Sequence, residues 1–525
     1  MPLTFFTWLL AFLPVAVVLA LMLGLKWGGS RAGVAGWTTA LLTAGLFFGA
    51  GARLLAYTQV KGTLLTLDVC YVVWAALLLY HVANEAGAVD VIGKALPALT
   101  RERAFQGLLL GWLFASFLQG MGGFGVPVAV SAPLLVGLGY TPVQAVIMAC
   151  IGHGWAVNFG SMATSFQTLM AVTGLPAEVL APDSAIFLGG ACLACGMVVT
   201  LVGDGWKKMF QLLPGTILLS AVMGGTQYLL STHGVYTLGA TGAAMAGLAV
   251  AILITRLPAY RGNGLNGARH LISGNGRPRS LWVALSGYAA LVILAFGMNL
   301  IPSINRLVDH VQFSLPFPEL QTGLGFVVPA EMGRSINIFG HPGAILTYAS
   351  LVSYLIYRRA GYYETGALKR ILDNTSQGAV NSSLGVAAMV GMAVAMSNSG
   401  MTNLLAAGLS QGFGKSAYPA VAPLIGALGA FITGSNNNSN VLFGMLQYRT
   451  AELLGLGVPL ILGAQTAGGS LGSIMAPAKV IVGCSTVGLG DNEGVVMGKI
   501  LIYGIGPVLL VALLALAFSW LGWGA

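Results

Sequence analysis

Apolar runs of about 20 residues recur along the whole chain, separated by short joints rich in Gly, Pro, Lys and Arg. About 20 consecutive apolar residues are what an α-helix needs to cross the ~30 Å hydrocarbon core of a bilayer. Backbone polar groups cannot be left bare in that solvent, so such runs must close their hydrogen bonds internally, as helices. Of the 525 residues 56% are hydrophobic and 7% charged, against roughly 25% charged in soluble domains. Length alone would suggest several soluble domains. The runs override it, and the chain reads as one all-α polytopic membrane unit over 1–525.

Spans are expected near 3–25, 32–52, 62–83, 142–172, 185–203, 212–230, 237–255, 281–300, 342–357, 378–410, 458–484 and 500–523, about 12 in all. The first lacks a basic leader and a small-residue cleavage site, so it reads as a span and not a signal peptide. The net charge of +9 is not a nucleic-acid signature, because the basic residues sit in the joints, where membrane orientation accounts for them. With the N-terminus outside, most of the 24 Lys and Arg fall in inside loops, the Gly- and Arg-rich linker 256–280 among them. Both termini are then periplasmic for a bacterial inner membrane. The five cysteines lie in apolar segments, and Cys192-x-x-Cys195, mid-span with no His or Cys cluster nearby, reads as packing.

Two further apolar stretches, 104–140 and 419–456, are interrupted by Gly or Asn clusters. Each could be two full spans or one re-entrant hairpin, and charge does not separate these, since both give the same sidedness. A weak internal repeat favours hairpins. Leu118-Gln-Gly-Met-Gly-Gly-Phe-Gly-Val-Pro and Ile432-Thr-Gly-Ser-Asn-Asn-Asn-Ser-Asn-Val are each followed by a Gly-Leu-Gly turn and a Gly-interrupted span. An odd number of spans between the copies inverts one relative to the other. Paired discontinuous segments in inverted halves point to a transporter site at the bilayer midplane. The transport parts are then 104–175 and 419–489.

Polar atoms at membrane depth are tolerated where they line a cavity, which makes both tips candidate binding elements. At the first, Gln119, Gly120, Gly122 and Gly123 bring backbone N–H groups to a helix end, an arrangement that favours anions. At the second, Ser435, Asn436, Asn437, Asn438, Ser439 and Asn440 add hydroxyls and amides that can donate to a carboxylate or accept from a hydroxyl. His153, Asn158 and Ser161 mark the break in the first interrupted span; Gly468, Gly469 and Ser470 mark the second, with Thr164, Thr466 and Ser473 as secondary contacts. Lys479 is a countercharge for an anion or a cation snorkelling toward the surface near Asp491. Asp68, the one carboxylate well inside a span before the first hairpin, and His153 are the candidates for coupling to an ion. No metal-ligand spacing, nucleophile constellation or cofactor motif is present, which argues against an enzyme. A channel would need a ring-forming repeat of filter residues, and none is seen.

The stretch from Leu118 to Tyr140, with Thr433-Gly-Ser-Asn-Asn-Asn-Ser-Asn-Val-Leu-Phe-Gly-Met-Leu-Gln, resembles the signature of the L-lactate/glycolate permeases. Asp204-Gly-Trp, Ser397-Asn-Ser-Gly, Thr466-Ala-Gly-Gly and Met475-Ala-Pro are weaker echoes. The resemblance implies import of a small 2-hydroxymonocarboxylate with protons through a bacterial inner membrane. It also implies paired re-entrant hairpins, elevator-like motion and a homodimer. Two positions depart from it. Gln119 stands where an acid is expected before the first Gly cluster, and Asn436 where the second tip usually carries Asp. Each replaces a titratable carboxylate by its amide, which leaves coupling to Asp68 or His153, to sodium, or to no ion. Lys479 is also unusual for the family and suits a more negative substrate.

Overall fold

The computed structural model describes residues 2–523 except 26, 124, 258–259, 261–279, 309, 334 and 490–492. The linker expected over 256–280 lies almost wholly outside the described residues, as do Lys26, Arg334 and Asp491. Helices account for nearly all of the rest. Three open the chain: α1 (Phe5–Gly24), α2 (Gly29–Leu46) and α3 (Ala52–Glu85). After the short α4 (Ala88–Ala95) comes α5 (Arg103–Met121), then α6 (Val126–Gly137), α7 (Pro142–Gly152) and α8 (Thr164–Thr173). The middle of the chain supplies α9 (Ala177–Thr232), α10 (Gly239–Ile254), α11 (Leu281–Leu300), α12 (Pro342–Arg359) and α13 (Ala367–Asn398). It closes with α14 (Met401–Thr433), α15 (Asn436–Leu454), α16 (Val458–Ile474), α17 (Pro477–Thr486) and α18 (Glu493–Trp520).

Among the described residues nine segments are long and apolar enough to cross a membrane. Apolar side chains such as Phe5, Trp282, Ile502, Leu513 and Trp520 stand exposed on the outer surface, as a lipid-facing surface requires. At the centre, α5 is buried over its whole apolar window. It carries a π-helical stretch at Leu109–Phe114, and the Gly111 carbonyl there lies against Gly152, where no side chain could fit.

Several expected spans differ in form. The span at 142–172 is α7 and α8 separated by irregular backbone. Pro142 starts α7 behind a Thr141/Gln144 capping box, and α7 ends at His153. The expected spans 185–203 and 212–230 form one long element, α9, bent at Gly205 (φ 81°, ψ 177°), a conformation open to Gly and not to side-chain residues. The span at 378–410 stops at Asn398, because Gly400 (φ 85°) turns the chain into α14. Near the α9 bend Tyr140 donates to Asp204 at 2.7 Å, and burial together with that carboxylate pushes the Tyr140 phenol up, holding it protonated.

One element has no counterpart among the expected spans. Residues 312–333 and 335–337 form a narrow antiparallel arm with pairings Gln312↔Asn337, Phe317↔Glu331 and Leu320↔Val328. Its tip is pinned where the Gly323 N–H donates to the Gly49 carbonyl at 2.7 Å. Near its root the Tyr71 hydroxyl donates to the Ile338 carbonyl at 3.1 Å.

Candidate functional site

The second tip is the turn at Gly434 and Ser435 between α14 and α15 (Gly434 φ 74°). Glycines on α16 let the tip's own helices close on it. A Cβ at Gly468 would sit 1.9 Å from the Pro423 carbonyl oxygen, and one at Gly469 would sit 2.1 Å from Oδ1 of Asn436. These two glycines set backbone approach and make room for the amide above them. In that space the Asn436 amide donates toward Ser470 Oγ (3.1 Å), Thr466 Oγ1 (3.2 Å) and Asn158 Oδ1 (3.4 Å). Thr466 is the hub: its hydroxyl donates to Asn158 Oδ1 at 2.7 Å and accepts from the Asn440 amide at 2.9 Å. Asn440 also donates to the Ser165 carbonyl (2.9 Å) and accepts from Gln465 (2.8 Å). Ser165 Oγ donates to Asn437 Oδ1, and Ser439 donates to the Gly426 carbonyl at 2.7 Å. The network is buried, so each bond is held without competition from water.

The first tip meets the same region by main chain. The Ser161 N–H donates to the Gln119 carbonyl at 2.8 Å and the Met162 N–H to the Gly120 carbonyl at 3.4 Å. Ser161, Met162 and Ala163 have φ of 47°, 58° and 63°, three successive side-chain residues in the left-handed region. Such a run is costly and persists because its surroundings hold it. Gly123 (φ 57°) fits only as Gly, since a Cβ there would meet Ser161 Oγ at 2.1 Å.

Between the tips lies a cavity of about 40 Å³ lined by Gln119 and Ser161 on one side, Ser435, Asn436 and Asn437 on the other, and Lys479. The first residues of α8, Thr164 and Ser165, complete the wall. Two helix N-termini, of α8 and α15, therefore face the same space, bringing first-turn N–H groups and the positive ends of two helix dipoles. Lys479, 8% exposed, donates to Ser473 Oγ at 3.1 Å, and no carboxylate is among the described lining residues. The electrostatics suit an anion. A water occupies ~30 Å³ of liquid, so admitting a three-carbon acid requires the walls to part.

Other expected residues lie nearby but off the cavity wall. Gly120 packs against Thr241, Gly122 against Tyr80, and the Asn438 amide turns toward Gly29. His153 is fully buried, its Nδ1 2.7 Å from the Ala149 carbonyl and its Nε2 without a partner among the described residues. Asp68 is elsewhere, on α3. Its Oδ1 accepts from Nε2 of His341 at 3.0 Å. The Gly343 N–H donates to Nδ1 of His341 at 3.2 Å, which places the proton of the neutral ring on Nε2. Tyr71 stacks on the imidazole with centroids 4.8 Å apart. Sequence reasoning missed His341 and Ser165. The signal for His341 is His-Pro at a helix start, where Pro342 takes the first turn; for Ser165 it is Thr164-Ser165 opening a helix.

A larger cleft of about 310 Å³ lies between α3 and α13 on one side and α8 and α15 on the other, roofed by the β arm. Lys61 and Glu331 are the charged residues among its described lining and form an ion pair.

A family model described as L-lactate permease matches residues 7–522. The chain is 26% identical to the L-lactate permease of Bacillus subtilis, covering 99% of this chain and 96% of that one. It is 25% identical to the L-lactate permease of Escherichia coli K12, with 92% and 91% covered. To the Escherichia coli K12 glycolate permease GlcA it is 24% identical over 81% of this chain and 80% of that one. Among solved structures, the YdaH transporter of Alcanivorax borkumensis matches with a TM-score of 0.50 at 17% identity, covering 90% of each chain, a likeness of fold.

Proposed function

The chain belongs to the L-lactate permease family, and from that premise we propose that it imports a small 2-hydroxymonocarboxylate, lactate or glycolate, bound between the two tips. It is a membrane transporter and not an enzyme. The observation that carries the substrate assignment is the cavity itself, where two helix N-termini and Lys479 face a space with no carboxylate among its described lining residues. The carboxylate would take Lys479 and the N–H groups of α8 and α15, and the amides of Asn436 and Gln119 would take the hydroxyl. The short α6, at ~1.5 Å per residue, is well under the bilayer thickness, which supports reading the first hairpin as re-entrant.

Coupling is to protons in this reading, with Asp68, bonded to His341, as the acid that takes the proton. The His341 ring links Asp68 to α12, because its Nε2–H donates to Asp68 and its Nδ1 accepts from the Gly343 N–H in the first turn of α12. Protonation would therefore be felt at the start of α12. The membrane is the bacterial inner membrane, with both termini periplasmic. The two hairpins move together as an inverted pair, elevator-like, against the remainder of a homodimer.

Uptake of labelled lactate, glycolate and a dicarboxylate into proteoliposomes, under imposed proton or sodium gradients, tests this. Saturable uptake of the two hydroxymonocarboxylates, stimulated by an inward proton gradient, is expected. Stimulation by sodium alone would refute the coupling, and preference for the dicarboxylate would refute the substrate.

A further inference from the structure

We propose that the cleft beneath the β arm is a second anion site, through which a small hydroxycarboxylate passes on its way to the tip cavity, and that it binds there by replacing Glu331 on Lys61. The inference rests on the permease reading and adds a site to it.

Lys61 and Glu331 pair across the cleft mouth with side chains 25% and 40% exposed. Pairs this wet are weakly held, so one carboxylate on Lys61 is readily exchanged for another. The rest of the lining suits a hydroxy acid. Ser335, Ser397 and Asn398 supply hydroxyls and an amide, with Asn398 oriented by its 3.0 Å donation to Thr58 Oγ1. Leu65, Met170 and Met445 supply an apolar wall for a methyl group.

Glu331 rides on an element fixed at its two ends. The arm is tied to Gly49 near residue 323 and to Tyr71 just past residue 337, while Glu331 lies between these anchors over the cleft. The carboxylate can swing off Lys61 without the arm detaching.

The cleft and the tip cavity share two walls. On α8, Thr164 and Ser165 line the cavity and residues 170–173 line the cleft. On α15, Asn436 and Asn437 line the cavity, and Val441 and Met445 line the cleft. At ~1.5 Å rise per residue the two spaces are roughly 6–12 Å apart along the α8/α15 seam. The seam between them is closed by the bonds of Ser165 to Asn437 and Asn440, so an anion released from Lys61 reaches the two helix N-termini when those bonds open.

The test is lactate and glycolate uptake by proteoliposomes of Lys61→Met, Lys61→Arg and Glu331→Gln. Lys61→Met is expected to raise KM about tenfold at low ionic strength, with Vmax within about twofold, and the effect should shrink in high salt. Lys61→Arg should stay near wild type, and Glu331→Gln should lower KM by freeing the cation. A Lys61→Met KM within about twofold of wild type, or an equal loss of Vmax in Lys61→Met and Glu331→Gln, overturns the site and assigns the pair to bracing the arm. Either of those results leaves wild-type uptake, and so the permease reading, standing. Absence of lactate and glycolate uptake by the wild type overturns that reading and this inference with it.

Discussion

Asn158 and Asn436, 278 residues apart in sequence, face each other amide to amide at 3.4 Å. Each keeps one buried polar atom without a partner among the described residues, Nδ2 in Asn158 and Oδ1 in Asn436. One is a donor and the other an acceptor. A 2-hydroxy acid presents the complementary set, an accepting carboxylate beside a donating hydroxyl.

Asn158→Ala and Asn436→Ala should each weaken saturable lactate uptake by about ten- to a hundredfold, the worth of one hydrogen bond to a charged or fully buried group. Propionate, which lacks the hydroxyl, should compete less well against wild type than lactate does. Equal competition by the two acids would remove the hydroxyl from the recognition scheme.

Asn436→Asp tests the departure at the second tip through pH. An ionised carboxylate there would face both Asn158 Oδ1 and the bound anion, so it must be protonated for substrate to bind. Uptake by this variant should fall as pH rises from about 5 to 8, and should depend more steeply on an inward proton gradient than wild type does. A pH profile matching wild type would show that position 436 does not face the anion.

Lys479→Met should abolish stabilisation by substrate more than it harms the fold. Its ammonium donates to Ser473 alone among the described residues, with no carboxylate partner left behind when it goes. Wild type should melt higher in millimolar lactate, as a ligand that binds only the folded state requires, and the variant should not shift. A lactate shift of wild-type size in the variant would place the substrate elsewhere.

Asp68→Asn keeps the shape of the side chain and removes the acid that faces His341. Uptake driven by a proton gradient should be lost, while exchange of internal for external lactate, which needs no net proton movement, should persist. Loss of both would mark the pair as structural.

Gly468→Ala should destabilise the protein by roughly 1–3 kcal/mol or more, because the added methyl meets the Pro423 carbonyl oxygen and pushes α14 off α16. Thermal unfolding in detergent measures it; an unchanged midpoint would mean that the two helices are not in close contact.

Much of the fold was legible in the sequence because a bilayer leaves few options for an apolar run. The two tips stood out because Gly and Asn clusters interrupt such runs, and the broken spans stood out for the same reason. What escaped depends on contacts between distant residues. His341 becomes a partner of Asp68 only when α12 starts beside the middle of α3, 273 positions away in the chain. The β arm escaped because its paired segments are two residues each, too short to show a period of two. The turn at Ser399 and Gly400 falls inside the expected span 378–410, because the positive φ of Gly400 is set by the direction in which α14 must leave α13. The cleft at Lys61 has no sequence signature, since its walls come from five separate parts of the chain.

The kinked corner at Ser161, Met162 and Ala163 bears on which of the two tips can act as a door. It is clasped by the main-chain carbonyls of Gln119 and Gly120, so lifting the first tip would release three residues from a shape they do not hold unaided. The second tip is joined across the cavity by side-chain amides and hydroxyls, which can trade partners with an arriving anion one at a time. Widening the space between the tips therefore costs less at the turn at Gly434 than at the first tip.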